Sequence, residues 1–158
     1  MTMNAIELLK QDHVTVKALL ERLGSTTERG VKTRTELLRK IEVELLVHTT
    51  LEEQIFYPAF KAAGGKDETI MSAEAKEEHR TVDSLVLPDL KQTSPSSLEF
   101  AGRAKVLKEL LEHHIEEEET EMFPKAAKLL GKQKLAELGA EMEALKKSMK
   151  QDLQRHAA

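Results

Sequence analysis

The chain has 158 residues, of which 40% are hydrophobic and 33% charged, as expected for one globular domain. Its net charge of −4, with both signs interspersed, argues against a nucleic-acid partner, and the lack of Cys excludes disulfides, thiolate metal sites and thiol nucleophiles. We recognise no signal peptide and no apolar run of membrane-spanning length, so we expect no membrane partner and a cytoplasmic location.

Residue usage favours helix along the whole chain. Aromatic residues make up only 3% of the sequence, whereas the strong helix formers Leu, Ala, Glu and Lys are abundant. Gly, Pro and Ser-rich segments separate the helical stretches, and Pro58, Pro88 and Pro124 are expected to end the second, third and fourth of them. We expect four long helices at about residues 4–23, 33–57, 67–87 and 97–122, and a fifth, amphipathic helix from Gly131 to about residue 154.

Apolar side chains recur in alternating steps of three and four along each of the first four helices. Helices with such seams pack against one another at shallow crossing angles in a bundle. The sequence therefore predicts an all-α fold, an up-down-up-down four-helix bundle with an additional C-terminal helix. We divide the chain into the bundle, residues 1–130, and the C-terminal amphipathic helix, residues 131–158, which packs on the bundle or on a partner.

Polar residues interrupt these apolar seams at positions where Leu is expected. A buried carboxylate without a partner is strongly destabilising, so two of them in one core need compensating groups. Imidazoles gathered around a pair of metal ions provide that compensation. The interrupting residues are His13, His48, Glu52, His79, His114 and Glu118.

The same residues form an internal repeat with an offset of 66 positions. The related pairs are His13 with His79, His48 with His114, and Glu52 with Glu118. The offset indicates two helical hairpins related by a pseudo-twofold axis. Residues four apart lie on one face of a helix, so the His and Glu of each His-x-x-x-Glu motif point into the core together. Four nitrogens and two carboxylates then converge from four helices.

The remaining polar residues near these motifs are expected to be solvated. His113 points about 100° away from His114 on an ideal helix and is assigned to the surface or to a supporting role. A run of acidic residues is typical of an exposed helix face. This run consists of Glu53, Glu116, Glu117, Glu119 and Glu121.

Tyr57 and Asp83 have two interpretations each. On an ideal helix Tyr57 lies about 140° from Glu52, which favours a packing role, but a distorted turn before Pro58 would bring the phenol to the metals. Asp83 lies four residues after His79, on the core side. It is either a metal ligand or an acceptor for an imidazole N–H.

The order of motifs along the chain follows a known pattern. His13 comes first, then a segment from His48 to Pro58 that reads HTTLEEQIFYP, then His79, and then a segment from His114 that reads HIEEEETEMFP. This pattern resembles the hemerythrin-like (HHE cation-binding) family. The resemblance covers roughly residues 4–128 and fixes six residues on four helices.

The resemblance implies a di-iron centre, with two Fe ions and an oxo or hydroxo bridge as the cofactor. In such a centre Glu52 and Glu118 bridge the irons through their carboxylates. The nitrogen ligands, two per iron, are His13, His48, His79 and His114. Tyr57, and less readily Asp83, remains a candidate additional ligand.

The chain departs from the oxygen-carrying members of the family at one position. Those proteins have a second His one turn after the third-helix His, where this chain has Asp83. Each iron then has five ligands and an open position, unless Tyr57 or Asp83 fills one. Two open positions favour reaction with peroxide over reversible oxygen transport. We therefore expect a catalase-like protein that decomposes hydrogen peroxide.

Two alternatives are left open by the sequence. One is a protein that binds or senses oxygen, nitric oxide or iron without turnover, and the other is a metal-free structural bundle. The chain has no Glu-x-x-His motif, which argues against a ferritin-type site, but manganese or zinc also suit nitrogen and oxygen ligands. The expected partner is a small diatomic or peroxide ligand, and the expected oligomeric state is a monomer or a homodimer.

Overall fold

The computed structural model describes residues 2–157, and helices account for nearly all of this part of the chain. Single turns of π-helix, named π1 to π3, interrupt the α-helices. In chain order the elements are α1 (Ala5–Gly24), α2 (Val31–Leu51), π1 (Glu52–Phe56), α3 (Tyr57–Ala63), α4 (Lys66–Thr81), π2 (Val82–Val86), α5 (Leu87–Gln92), α6 (Leu98–Glu117), π3 (Glu118–Met122) and α7 (Phe123–Ala157). The described residues contain no strand, which confirms the all-α prediction.

The first helix of the bundle is a single element, and each of the other three combines three elements. The first is α1, the second runs through α2, π1 and α3, the third through α4, π2 and α5, and the fourth through α6, π3 and the start of α7. At Gly131 the φ angle is 78°, which L-residues with side chains rarely adopt, so α7 bends there. The remainder of α7 is the additional C-terminal helix. The predicted up-down-up-down four-helix bundle with an additional C-terminal helix is confirmed.

The three prolines do not end their helices, contrary to the sequence-based expectation. Each one follows a π turn, and the helix continues beyond it. Proline has no N–H to donate, and its ring crowds the carbonyl four residues earlier, so the preceding turn widens instead of breaking. In each turn the N–H of one residue reaches the carbonyl five residues back. The three bonds are Tyr57 to Glu52, Leu87 to Val82, and Phe123 to Glu118.

The hydrophobic core forms two clusters with a polar layer between them. One cluster contains residues such as Leu9, Leu51 and Phe56 near one end of the bundle. The other contains residues such as Val16 and Leu45 near the opposite end. Each polar residue of the seams lies between residues of the two clusters along its own helix. The two clusters therefore keep water away from the polar layer on both sides.

The C-terminal helix folds back onto the bundle. Its buried side chains, Leu135, Leu138 and Met142, join the same cluster as Ala5 and Leu8 at the start of α1. This packing excludes much apolar surface from water and thereby stabilises the contact between the first and last helices. Among the described residues, no helix is long and apolar enough to cross a membrane.

Gly139 of the C-terminal helix packs directly against the backbone that precedes α1. A Cβ atom at this position would overlap the carbonyl oxygen of Met3 and lie 2.8 Å from backbone atoms of Asn4. We expect Gly139→Ala to lower the free energy of unfolding by about 1–3 kcal/mol, because two backbones must separate. Denaturant unfolding of the full chain measures this change.

Gly102→Ala is the matched control for this substitution. Gly102 lies in α6, and a Cβ there would meet nothing within 4 Å. Alanine has the higher helix propensity, so this variant is expected to be about 1 kcal/mol more stable than the parent protein. Equal stability of the two variants would contradict close packing at Gly139.

Candidate metal centre

The polar layer of the bundle contains two clusters of buried metal-ligating side chains. One consists of His13, His48, Glu52 and Glu118, and the other of Glu52, His79 and His114. In each cluster the donor atoms lie within 4.8 Å of one another. The structure therefore brings together all six residues that the sequence singled out, and Glu52 belongs to both clusters.

The first cluster joins side chains from α1 and α2 with the two carboxylates. His13 Nε2 lies 3.2 Å from Glu118 Oε1, and His48 Nε2 lies 3.3 Å from Glu52 Oε1. Two donors that each lie about 2.1 Å from one ion are about 3 Å apart when they subtend a right angle. The spacing of these side chains therefore suits an ion held between them.

The second cluster repeats this arrangement with side chains from α4 and α6. His79 Nε2 lies 3.1 Å from both Glu52 Oε1 and His114 Nε2. His114 Nε2 in turn lies 3.2 Å from Glu118 Oε1. Each carboxylate thus contacts imidazoles from both helical hairpins. This is the position that a carboxylate bridging two ions requires.

Each of the four imidazoles contacts, through its Nδ1 atom, a carboxylate that lies farther from the centre. We call these four residues the outer carboxylates. Such a contact fixes the orientation of the ring and directs Nε2 toward the centre of the bundle. The four pairs are Asp12 with His48 at 2.9 Å, Glu78 with His114 at 2.8 Å, Glu53 with His79 at 2.9 Å, and Glu119 with His13 at 2.6 Å.

These outer carboxylates were not predicted from the sequence. Glu53 and Glu119 were assigned to a solvated face, but both are half-buried and contact imidazoles. The internal repeat could have identified these carboxylates, because its offset of 66 relates Glu53 to Glu119 and also Asp12 to Glu78. The repeat therefore extends from the inner donors to the groups that orient them.

The two halves of the centre differ in what covers them. On one side Lys146 of the C-terminal helix donates a hydrogen bond to Asp12, which in turn contacts His48. Burial raises the pKa of Asp12, but the contacts with His48 and Lys146 outweigh it and hold that pKa below its usual range. The equivalent carboxylate, Glu78, contacts His113 and His114 and lines a surface cavity. The C-terminal helix thus closes only one half of the centre.

Tyr57 reaches the centre because of the π turn that precedes it. In a π turn residues five apart share a face, so Tyr57 lies on the same side as Glu52. Its hydroxyl donates a hydrogen bond to Glu118 Oε2 at 2.7 Å and lies 3.4 Å from His79 Nε2. The equivalent residue of the other half, Phe123, stacks on His13 with ring centroids 5.7 Å apart.

Asp83 does not reach the centre. It lies in π2, and its side chain is exposed. Glu53 contacts the His79 Nδ1 atom in its place. The expectation that Asp83 lies on the core side is therefore wrong. His113 is exposed, as the sequence predicted for a residue adjacent to an inward-facing His.

Burial and charge act in opposite directions on the pKa values of the two imidazoles His48 and His114. Burial lowers the pKa of His48 and His114, but the negative charges of Glu52 and Glu118 outweigh it, raising the pKa of His48 to about 10 and that of His114 well above its usual value. Burial also raises the pKa of Tyr57, and the same two carboxylates add to this effect. Without metal, the centre therefore holds protons in place of cations.

Several donor atoms at the centre have no hydrogen-bond partner within the described residues. Among the described residues, five buried atoms make no hydrogen bond: His13 Nε2, His48 Nε2, both oxygens of Glu52, and Glu118 Oε1. Buried polar atoms without partners are rare because each costs free energy on folding. These atoms face one another and comprise nitrogen and carboxylate ligands without sulfur, which suits iron, manganese or zinc. The residues present therefore fit a metal centre.

Comparison with known proteins also indicates a cation-binding domain. Residues 4–126 match the hemerythrin HHE cation binding domain. A crystal structure of an HHE domain-containing protein from Mycobacterium kansasii aligns with a TM-score of 0.83 at 30% identity, covering 95% of this chain and 89% of that one. An uncharacterized protein of Mycobacterium tuberculosis is 31% identical over 90% of this chain and 84% of its own length.

A DNA nickase from Nostoc is also similar, at 26% identity over 96% of this chain. The chain spans 41% of the length of that protein. The family match, in contrast, covers most of this chain and includes all six inner donors. The chain belongs to the hemerythrin HHE cation-binding family.

Proposed function

We propose that the buried centre holds two iron ions, one between His13 and His48 and the other between His79 and His114. Glu52 and Glu118 bridge the two ions. The observation that carries this proposal is the set of five buried donor atoms without hydrogen-bond partners. The symmetric arrangement of the outer carboxylates supports it, since each orients an imidazole as metal-bound imidazoles are usually oriented.

We further propose that Tyr57 is a ligand of the ion held by His79 and His114. Its hydroxyl lies close to both His79 and Glu118. In the metal-free state its raised pKa keeps the phenol protonated, so that it donates to the Glu118 carboxylate. Phe123 has no hydroxyl at the equivalent position, which makes the two halves of the centre chemically different.

The Tyr57→Phe variant tests this assignment. A bond between a phenolate and ferric iron gives a visible absorption band, which we expect in the iron-loaded parent protein and not in the variant. The substitution removes one oxygen and preserves the ring packing on His79. Metal content measured alongside the spectrum is expected to stay at the parent value. An unchanged visible band in the variant would contradict ligation by Tyr57.

The reaction that we propose is decomposition of hydrogen peroxide. Two iron ions supply a two-electron couple, by which one peroxide is oxidised to oxygen and a second is reduced to two waters. The apolar clusters on both sides of the centre exclude bulk water. The four outer carboxylates hold the imidazole rings in place, and Tyr57 holds a proton close to Glu118. Asp83 is exposed and supplies no ligand, so the ion held by His13 and His48 keeps an open position for peroxide.

Oxygen evolution from peroxide tests this reaction. We expect the iron-loaded parent protein to release oxygen and the His114→Ala variant to do so at least about tenfold more slowly, because it loses an inner donor. The control is His156→Ala, which removes an exposed imidazole near the end of α7. Equal rates in the parent protein and His114→Ala would overturn the proposed reaction.

A second candidate function is reversible binding of oxygen or nitric oxide. The observation that favours it is the position of Tyr57, because occupation of one site by the phenol leaves a single open position on the other ion. Binding isotherms of the reduced, iron-loaded protein distinguish the two functions. Reversible binding without oxygen release from peroxide would favour this alternative.

A further inference from the structure

A second group of metal-ligating side chains lies at the surface, outside the buried centre. Glu78, His113 and Glu117 each offer a donor atom, and these atoms lie within 4.8 Å of one another. His113 Nε2 is 3.0 Å from Glu117 Oε1 and 3.9 Å from Glu78 Oε2. One nitrogen and two carboxylates on two different helices, with room for water, form a donor set that suits Mn²⁺, Fe²⁺ or Zn²⁺.

This surface group lies beside a cavity that extends to the buried centre. The cavity has a volume of about 160 Å³ and lies between α4 and α6. Glu78 and Glu117 line it, and so do His114 and Glu118 of the buried centre. Glu118 is only 2% exposed, and its Oε1 atom has no hydrogen-bond partner within the described residues. The wall of the cavity thus includes a buried carboxylate that has an unpartnered oxygen.

The charges around the cavity are mostly negative. Six carboxylates line it, against the single imidazole of His114 at its inner end. The carboxylates are Asp67, Glu74, Glu78, Glu117, Glu118 and Glu121. A concave surface lined by one sign of charge concentrates ions of the opposite sign and accelerates their arrival. On the opposite half of the centre, Lys146 of the C-terminal helix instead places a positive charge on Asp12.

Glu78 connects the surface group with the buried centre. Its Oε1 atom contacts His114 Nδ1 at 2.8 Å, while its Oε2 atom faces His113. A single carboxylate therefore belongs both to the outer group and to the groups that orient the inner imidazoles. The equivalent residue in the other half, Asp12, has this second oxygen bound to Lys146 instead.

We propose that Glu78, His113 and Glu117 form an outer divalent-cation site, through which metal ions pass into the cavity and load the buried centre. The outer site stands on its own geometry, whereas its role in loading rests on the proposed metal centre. Exposure of His113 makes the outer site weak and exchangeable, as a transfer site requires.

Mn²⁺ binding to the full chain tests the outer site. The buried centre is filled beforehand, and free Mn²⁺ is counted by electron paramagnetic resonance during titration. We expect the parent protein to bind about one additional, weakly held Mn²⁺, and the variant His113→Ala with Glu117→Gln to bind it at least about tenfold more weakly. The control variant, His156→Ala with Glu116→Gln, makes the same chemical changes at exposed positions and is expected to bind like the parent protein. Equal binding by all three proteins would overturn the outer site.

The rate of iron uptake tests the loading role. Metal-free protein is mixed with Fe²⁺ without oxygen, and chelator-resistant iron is measured over time. We expect uptake on the order of tenfold slower in the His113 and Glu117 variant, with the same final iron content. Unchanged uptake would overturn the loading route. If the buried centre does not bind iron, the result is different, because the parent protein then holds no chelator-resistant iron but still binds Mn²⁺ at the outer site.

Discussion

The Glu52→Gln variant is expected to lose both metal ions. Glu52 is fully buried, belongs to both donor clusters, and has no hydrogen-bond partner at either oxygen among the described residues. Glutamine has nearly the same size but carries no charge and presents an N–H₂ group to one ion. We expect the affinity for metal to fall by more than about 100-fold, which exceeds the usual effect of removing a supporting group. Metal analysis after dialysis against a weak chelator measures the loss.

Glu53→Gln is the graded control for this prediction. Glu53 is adjacent in sequence and carries the same charge, but it contacts only the outer nitrogen of His79. We expect a loss of affinity of about 10–100-fold, since the imidazole loses its orienting acceptor and remains as a ligand. Retention of two ions by Glu52→Gln, or a larger loss in Glu53→Gln, would show that Glu52 does not bridge the ions.

Metal binding is expected to release at least two protons near pH 7.5, because imidazoles must be neutral to bind metal. A Tyr57 phenol that binds as phenolate releases one more. In the metal-free protein the pKa of His48 is raised to about 10 and that of His114 is also raised, so both are protonated at this pH. Calorimetric titration with Zn²⁺, which undergoes no redox change, in buffers of different ionisation enthalpy counts the released protons. Binding without proton release would contradict the charged state of these imidazoles.

The same pKa shifts set the pH dependence of stability. The pKa of His48 is about 10 in the folded protein and 6.5 in the unfolded chain. Its contribution to stability is therefore complete below pH 6.5 and is lost as the pH rises through about 10. The metal-free protein should therefore lose stability as the pH rises above 6.5. Metal competes with protons, so metal binding strengthens over the same range. The gap in Tm between the two forms is expected to widen, and a constant gap would contradict this linkage.

Much of the fold and the inner donor set follows from the sequence. Apolar seams with a helical period predict the bundle because burial of one face is what holds each helix in place. His and Glu residues in those seams predict the buried cluster, because such groups are too costly to bury without partners. The 66-residue repeat further predicts that the two helical hairpins contribute equivalent halves of the cluster. His13 and His48 lie together, as do His79 and His114.

The π turns are what the sequence did not predict. Periodicity of 3.6 residues treats Tyr57 as remote from Glu52 and treats Asp83 as facing the core. A turn with five-residue spacing brings Tyr57 to the centre, which is the alternative that the sequence left open for it, because it rotates every later side chain relative to the earlier ones. The expectation for Asp83 is wrong, since its side chain is exposed. The prolines at 58, 88 and 124 were the available signal, but a proline is equally compatible with the end of a helix and with a widened turn.

The outer carboxylates escaped prediction for a different reason. Glu53 and Glu119 follow the inner glutamates directly, so on an ideal helix they point toward the surface. They remain half-buried because each reaches an imidazole of the other hairpin. Contacts between helices that are distant in sequence depend on the register of the bundle, and helix periodicity alone carries no information about that register.

Anomalous diffraction at the iron edge from crystals of the iron-loaded protein tests the central claim most directly. Two peaks are expected, one at about 2.0–2.2 Å from Nε2 of His13 and His48 and the other at the same distance from Nε2 of His79 and His114. Glu52 should lie within bonding distance of both peaks. A single peak, or iron bound only at the surface group of Glu78, His113 and Glu117, would contradict a two-metal centre at the six buried donors.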